Sequence, residues 1–496
     1  MKLNQFFDCQ EDVEITSLAI DSRKVQPGSL FFCLEGFSAD GHAFADKAVD
    51  AGAVAIVHGK PLPKRPGVVY IQVQNPRWEA SRVCDIFYGH PSDHLYLFGV
   101  TGTNGKTTMM SAVSYIYGKK KPCGYMGTIA VRFGDVDRLP SLTTPDQIEM
   151  HDDLSQMVAA GMEAAAIEVS SQGLSTGRVD SVDFDCVAFT NLTHDHLDFH
   201  KTMAGYFEAK SLLFRRMKPS GVAVLNADDE PSIGTLLEVT PCKTVTYGIQ
   251  GRTAEAYQKA GRGPVDYVAS EIVHLPRGTR FTLTLSNGET YPIETNLVAD
   301  FNVYNMLGAI ACMHQAGMAI EEMLPAIKTL PQVDGRMEMV DQGQDFTVIA
   351  DFAHTPDGYI KMFEYAKSIL RPGSKILAVI SSSGRRDHSK RPEMGRIAAQ
   401  YADQVILSTH DPRDEDPEDI AKEMMIGFQG SACQYTFVRD RIQAIDQIIS
   451  QANNGDVVLL LGKGDEPYMY VAEGRVPYIG DQNAALQALQ RRGFGR

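Results

Sequence analysis

One stretch constrains this 496-residue chain more than any other: Phe98-Gly99-Val100-Thr101-Gly102-Thr103-Asn104-Gly105-Lys106-Thr107-Thr108. It leaves an apolar segment, Leu95 to Val100, and opens into a helical pattern, so it reads as strand, glycine turn and helix. Glycines at 99, 102 and 105 let the backbone bend until successive N–H groups converge, and the first turn of the helix adds unpaired donors. Such a cradle fits a triphosphate. Lys106 is placed to reach the β- and γ-phosphates, and the Thr107 hydroxyl to sit on a magnesium ion. The spacing departs by one residue from G-x-x-x-x-G-K-[ST], because Val100 stands where the first glycine belongs.

Around this loop the chain has room for about three domains. A net charge of -15 leaves no broad basic surface for nucleic acid. The first residues carry acids without a long apolar core, and no apolar run reaches membrane length, so a cytoplasmic chain without membrane insertion is expected. The eight cysteines stand singly, without C-x-x-C pairs, and read as reduced thiols. A monomer is expected.

Residues 1–91 alternate short strands and helical segments, and Asp21 to Phe32 reads as strand, turn, strand. Gly89-His90-Pro91-Ser92 is rich in turn formers and marks the first boundary. Residues 92–331 repeat strand and helix, the pattern of a mostly parallel sheet with ligands at its carboxyl edge. Two strands end in chemistry there. Ala164 to Ile167 ends at Glu168, and Cys186 to Phe189 leads into Thr190-Asn191-Leu192-Thr193-His194-Asp195-His196. A carboxylate and an imidazole beside a triphosphate loop can complete magnesium coordination, the carboxylate being the better oxygen ligand. Between Leu225 and Asp300 the pattern predicts a small antiparallel sheet. Residues 332–496 predict a second doubly wound sheet, with strands at 346–350, 376–380, 404–407 and 457–461. Polar residues collect at their ends: Asp351 to Asp357, Gly384 to Asp387, His410 to Arg413, and Gly462 to Glu466.

Taken together, T-G-T-N-G-K-T-T, E-V-S-S, F-T-N-L-x-x-D-H-L-D and Y-F-E-A-K resemble the central domain of the Mur ligase family, ATP-dependent ligases that build the peptidoglycan stem peptide. D-S-R-x-V-x-P-G-x-L-F resembles the family's uridine diphosphate-holding domain. D-F-A-H-T-P-D and G-K-G-D-E resemble the branch that adds the third residue of the stem. The resemblance implies an α/β protein of three domains: a small N-terminal uridine-binding domain, a central P-loop ATPase-like domain and a C-terminal Rossmann-like domain. It implies ATP and two magnesium ions as cofactors, with Thr107, Glu168, His196 and a carbamylated Lys210 as metal ligands. Lys106, Glu168, His196, Lys210 and His354 would be catalytic. Gly102 to Thr108, Asn305, Arg336 and Asp351 would hold ATP. Ser22, Phe37, Ser38, Ala39, Thr143, Thr144, Ser170, Arg178 and His354 would hold UDP-N-acetylmuramoyl-L-alanyl-D-glutamate. Two departures stand out: Thr176 replaces a frequent glutamine, and Ala299 a frequent glycine. A folylpolyglutamate-type ligase should lack D-S-R and G-K-G-x-E, and a non-catalytic paralogue should lose the metal residues.

By the same resemblance Arg386, Asp411, Arg413, Gly462, Asp465 and Glu466 would bind the incoming diamino acid. Diaminopimelate-adding relatives carry D-N-P-R and G-K-G-H-E. Here Asp411 replaces asparagine and Asp465 replaces histidine, a gain of acid that favours a bare ammonium and hence L-lysine. Arg413 points the other way, toward a distal carboxylate and diaminopimelate, unless it is tied up in an ion pair with Asp411. Ornithine stays open.

Overall fold

The computed structural model describes residues 1–36, 39–275 and 277–495. Four parallel strands open the chain, β1 (Ser17–Ala19), β2 (Ser29–Phe32), β3 (Ala53–His58) and β4 (Val69–Gln72), and lie side by side in that order. Asp21 to Phe32 is not strand, turn, strand. The Asp21 carboxylate accepts the Arg23 N–H at 2.9 Å and caps a helical turn, Ser22–Lys24, so only β2 is extended. An aspartate that can bond its own backbone two residues on competes with strand pairing.

The central sheet has eleven strands: β5 (Tyr96–Thr101), β6 (Cys123–Met126), β7 (Val131–Phe133), β8 (Val136–Arg138), β9 (Ala164–Glu168), β10 (Cys186–Phe189), β11 (Val222–Asn226), β12 (Lys243–Ile249), β13 (Tyr267–Leu275), β14 (Gly278–Leu285) and β15 (Thr290–Thr295). Their spatial order is β15-β14-β13-β12-β11-β10-β5-β9-β6-β7-β8. β9 and β10 flank β5 on opposite sides, both parallel to it, so the chain order reverses at β5 and opens a crevice at its carboxyl end. The five residues of β9 are all buried, as expected of a strand covered on both faces. Leu97 and Phe98 go to different apolar clusters, one on each side of the sheet. The antiparallel strands expected between Leu225 and Asp300 are present as β13, β14 and β15, and they extend the central sheet at one edge. β11, β12 and the start of β13 continue the parallel sheet, which becomes antiparallel at its two edges, β13-β14-β15 on one side and β6-β7-β8 on the other. Short alternating strands carry no signal of which edge they join.

The third sheet orders β16 (Glu338–Met339), β17 (Thr347–Asp351), β18 (Ile376–Ile380), β19 (Gln404–Leu407), β20 (Gln434–Phe437) and β21 (Val457–Leu461) as β16-β17-β21-β18-β19-β20, parallel except at β16. Three of the four strands read from the sequence have these limits, and the fourth shifts by one residue. A hairpin, β22 (Tyr468–Val471) with β23 (Gly474–Pro477), follows. Among the described residues, no helix is long and apolar enough to cross a membrane. All eight cysteines are free.

Candidate active site

The glycine turn follows β5 directly and runs into helix α1 (Lys106–Tyr117). Gly102 has φ +146° and Gly105 φ +90°. A Cβ at Gly102 would come within 1.8 Å of Thr190 Oγ1, and one at Gly105 within 2.2 Å of Asn305 Oδ1, so neither position accepts a side chain. Lys106 folds over the loop and donates to the carbonyls of Gly102 and Thr103 at 3.0 and 2.8 Å. Lys210, on helix α2 (Met203–Arg215), donates to the same Gly102 carbonyl at 2.7 Å and is buried. Burial lowers the basicity of Lys106. Burial, and then the neighbouring Lys106 charge, push that of Lys210 well below the ordinary lysine value.

Glu168 ends β9 fully buried, yet its partners are neutral: Tyr125 OH at 2.6 Å, the Thr128 amide and hydroxyl at 3.0 Å each, and the Thr107 hydroxyl at 3.0 Å. Hydroxyl and carboxylate oxygens thus converge beside the loop, a donor set suited to magnesium. His196 follows β10 in a left-handed conformation, φ +55°, and burial pushes its pKa down to about 3, which leaves a neutral imidazole able to ligate. Lys210 as an ammonium has no lone pair to offer. The neutral amine that its surroundings favour is the form that adds carbon dioxide to become a carbamate, an oxygen ligand. Elsewhere, Glu35, Asp40 and His42 lie close enough to share an ion, but Lys60 Nζ already sits 2.8 Å from Glu35 and 2.7 Å from Asp40.

The third sheet delivers its strand ends onto the same crevice. Arg336 donates to Thr107 Oγ1 at 3.3 Å and its guanidinium lies 4.8 Å from the Phe352 ring centre. Asp351 ends β17 and accepts the amides of Met337 and Ala353, both at 2.7 Å. A cavity of about 530 Å³ runs from Gly105 past Asn305, Tyr247 and Tyr304 to Arg336 and Asp351. His354 bonds the Phe352 carbonyl through Nδ1 at 2.9 Å, and its Nε2 lies 3.6 Å from Asp195 Oδ2.

Sequence reasoning missed several residues here. Lys390 reaches across from the third sheet and donates to Asp195 at 2.9 Å, both buried. Burial alone would raise the Asp195 pKa, but Lys390 and the two histidines hold it well below the usual carboxylate range. His194 meets Asp387 at 3.0 Å, and Asn104 donates to Asp357 at 2.8 Å. None of these contacts has a local sequence signal, since the partners lie 193 to 253 positions apart.

Thr143 and Ser170 line a second cavity, about 280 Å³, together with the loop, His196 and His354. Thr144 does not line it. Its hydroxyl is spent on the Glu168 carbonyl at 2.9 Å and on Ser170, and its side chain is wholly buried. Ser22, Ala39, Thr176 and Arg178 border a third cavity of about 830 Å³, which Arg386 joins to the second. Phe37 and Ser38 lie outside the described residues.

The case for lysine meets three corrections. Asp411 is not a free acid: its Oδ1 accepts Lys463 Nζ at 2.9 Å and the Tyr470 amide at 3.0 Å, and Lys463 is fully buried and also pairs with Glu466. Asp465 does not face the cavity that Glu466, Arg386 and Arg413 line. Its Oδ1 lies against Gly480, where a Cβ would come within 2.3 Å, and its charged neighbours are Asp334 and Asp481. Arg413 is not in an ion pair with Asp411. It donates to the Gly384 carbonyl at 2.7 Å and more weakly to the Asp411 main-chain carbonyl at 3.5 Å, with its guanidinium 5.3 Å from the Tyr470 ring centre. Gly462, φ +113°, lies beneath the cavity against Ser381 and His410.

Residues 14–93 match the Mur ligase family catalytic domain, 100–313 the Mur ligase middle domain, and 335–464 the Mur ligase glutamate ligase domain. The UDP-N-acetylmuramoyl-L-alanyl-D-glutamate–2,6-diaminopimelate ligase of Geobacillus kaustophilus is 39% identical over 487 residues, covering 97% of this chain and 96% of the relative. The protein of the same name from Bacillus cereus is 38% identical over 509 residues, covering 99% of each. A solved structure of a ligase of that name superposes with a TM-score of 0.67 at 27% identity over 99% of both chains. The MurF ligase of Thermotoga maritima in complex with ADP shares the fold, with a TM-score of 0.64 at 16% identity, over 97% of this chain and 99% of that one.

Proposed function

Since the chain belongs to the Mur ligase family, whose members are ATP-dependent amide ligases, we propose that it joins 2,6-diaminopimelate to UDP-N-acetylmuramoyl-L-alanyl-D-glutamate in the cytoplasm. The observation that carries the amino acid is the Arg413 guanidinium. It lines the cavity free of any carboxylate partner among the described residues, beside Arg386, while the acids expected to read an ammonium are neutralised or turned away. Arginine is the natural bidentate partner of a carboxylate, and the relatives named above carry diaminopimelate in their names. L-lysine, favoured on local charge alone, gives way.

A carboxylate does not condense with an amine in water unless it is activated. In the proposed reaction the side-chain carboxylate of the D-glutamate takes the γ-phosphoryl group of ATP, giving an acyl phosphate and ADP. The amine of the incoming amino acid then attacks the acyl carbon and phosphate leaves. The loop amides and Lys106 hold the phosphates and offset charge that develops on them. Asn305, Arg336 and Asp351 border the space for the nucleoside. Lys390 and His354 reach the crevice from the third sheet, so the acyl phosphate is enclosed between two sheets and kept from water. Thr107, Glu168, His196 and carbamylated Lys210 are the residues that would hold magnesium, which supplies charge neutralisation at the transferred phosphoryl group.

The test is ATP-dependent phosphate release with magnesium, UDP-N-acetylmuramoyl-L-alanyl-D-glutamate and, separately, meso-diaminopimelate, L-lysine or L-ornithine. Turnover with diaminopimelate is expected. Preference for lysine would overturn the reading of Arg413.

A further inference from the structure

A buried ammonium sits beneath the amino-acid cavity, and no step of the proposed chemistry uses it. Lys463, between the two glycines that follow β21, is wholly inaccessible, and its Nζ meets Asp411 Oδ1 at 2.9 Å and also touches Glu466. Taking an ammonium out of water is costly unless its partners are well placed, so a lysine here implies carboxylates that need it.

The loop above it is bent in an unusual way. Asp411 and Arg413, on either side of Pro412, both have positive φ, +43° and +54°. Aspartate tolerates this region, but arginine seldom adopts it, and such strain persists only where the surroundings enforce it. Its effect is to separate two opposite charges only two residues apart. The Asp411 carboxylate takes Lys463 and the Tyr470 amide, while Arg413 is fixed by its own amide on the Tyr470 carbonyl at 2.9 Å and by the Gly384 carbonyl. His410 Nε2 also lies 3.8 Å from Asp411 Oδ2, but burial, and then the Lys463 charge, keep that imidazole neutral. Without Lys463, the cation two residues along the same loop, Arg413, is left to answer the Asp411 charge.

We propose that Lys463 is a specificity-determining positioning residue: by holding the Asp411 carboxylate it keeps the Arg413 guanidinium free for the distal carboxylate of the incoming amino acid. This rests on the diaminopimelate reading of the same cavity. Lys463 touches no substrate and acts through Asp411 and Arg413. Its charge, not its shape, is what Asp411 needs, and that one need vanishes once Asp411 is made neutral, while the pair with Glu466 remains.

The experiment compares kcat and KM for meso-diaminopimelate and L-lysine in the wild type, Lys463→Met, Asp411→Asn and the double variant, each checked for folding by circular dichroism. Lys463→Met should raise KM for diaminopimelate about tenfold or more, with a smaller change in kcat, and should narrow its advantage over lysine. Asp411→Asn in that background should return the selectivity to within about threefold of the wild type, since a neutral amide asks for no counter-ion. If Lys463→Met does not fold, the double variant decides: retained selectivity supports the proposal, and lost selectivity overturns it. A folded Lys463→Met with wild-type selectivity overturns it too. A wild type that prefers lysine sinks the substrate reading before any variant is made, whereas a diaminopimelate preference that Lys463→Met leaves intact sinks only this proposal.

Discussion

Two buried carboxylates, Glu168 on the phosphate side and Asp411 on the amino-acid side, are solvated in opposite ways. Glu168 is surrounded by three hydroxyls and one amide, all neutral. Asp411 is met by one amide and the ammonium of Lys463 at Oδ1, with His410 Nε2 3.8 Å from Oδ2. Neutral donors stabilise a charge without cancelling it, so Glu168 pairs with no cation directly and its charge is felt across the crevice by Lys106. Asp411 is cancelled where it stands. A count of acids cannot distinguish the two, yet one is fit to attract a cation and the other is not.

The same isosteric change at both positions tests this most severely. Glu168→Gln should lower kcat by about a thousandfold while the fold is retained, the scale of losing a fixed charge-stabilising group. Asp411→Asn alone should change kcat/KM for diaminopimelate by no more than about threefold, because Lys463 keeps Glu466 as a partner. Steady-state phosphate release on both variants gives the answer, and losses of similar size would break the contrast.

Next in size is Arg413→Ala, which removes a cation that has no carboxylate partner among the described residues. Charge-assisted hydrogen bonds contribute about 1.5–3 kcal/mol, so KM for diaminopimelate should rise about 10- to 100-fold. Turnover of L-lysine, which has no distal carboxylate, should hardly change. An equal loss for both amino acids would mean that Arg413 supports the loop rather than reads the substrate.

What was legible in the sequence follows the same division. The loop from Gly102 to Thr108, Glu168 at the end of β9 and the four strand ends of the third sheet are local: glycine spacing and apolar runs determine them over a few residues. The position of the glycine turn and of these strand ends could therefore be read from the sequence. The facts that the sequence hides are pairings between distant residues, Asp411 with Lys463 on the amino-acid side and Asp195 with Lys390 beside His196, 52 and 195 positions apart. Their charges were visible and their partners were not. Thr144 shows the same limit on the phosphate side, since only the fold reveals that its hydroxyl is spent on the Glu168 carbonyl.

Asp465 sharpens the contrast on a smaller scale, because it is acidic, close in sequence and outside the cavity. Burial, and then Asp334 and Asp481, raise its pKa to about 6, above the ordinary aspartate value of about 3.9. The folded state therefore holds the proton more tightly than the unfolded one. Its favourable contribution is complete below pH 4 or so and is lost as pH rises through about 6. Asp465→Asn should thus stabilise the protein at pH 8 by about 1 kcal/mol, after allowance for partial exposure, and give no gain near pH 4. Chemical denaturation at the two pH values measures this. A change in amino-acid selectivity would instead return Asp465 to the cavity.

On the phosphate side the departure from the related pattern is Ala299, and its cost is conformational. It precedes helix α3 (Asp300–Gln315) with φ +74° and ψ +153°, a region nearly reserved for glycine. The alanine is buried, so its methyl group recovers part of the strain through packing. Strain of about 1–3 kcal/mol is offset in Ala299→Gly by about 0.8 kcal/mol of lost apolar burial and by about 0.5–1 kcal/mol of added chain entropy in the unfolded state. A net gain of about 0.5 kcal/mol remains, felt first at the start of α3, where Asn302 donates its amide to the Ala299 carbonyl at 3.1 Å. Amide exchange over residues 302–305 should slow about twofold in Ala299→Gly, with amino-acid selectivity unchanged. Faster exchange would show that the methyl contact outweighs the strain. Altered selectivity would show that the two sides are coupled through α3 and Asn305, and that the division between them is not a division of function.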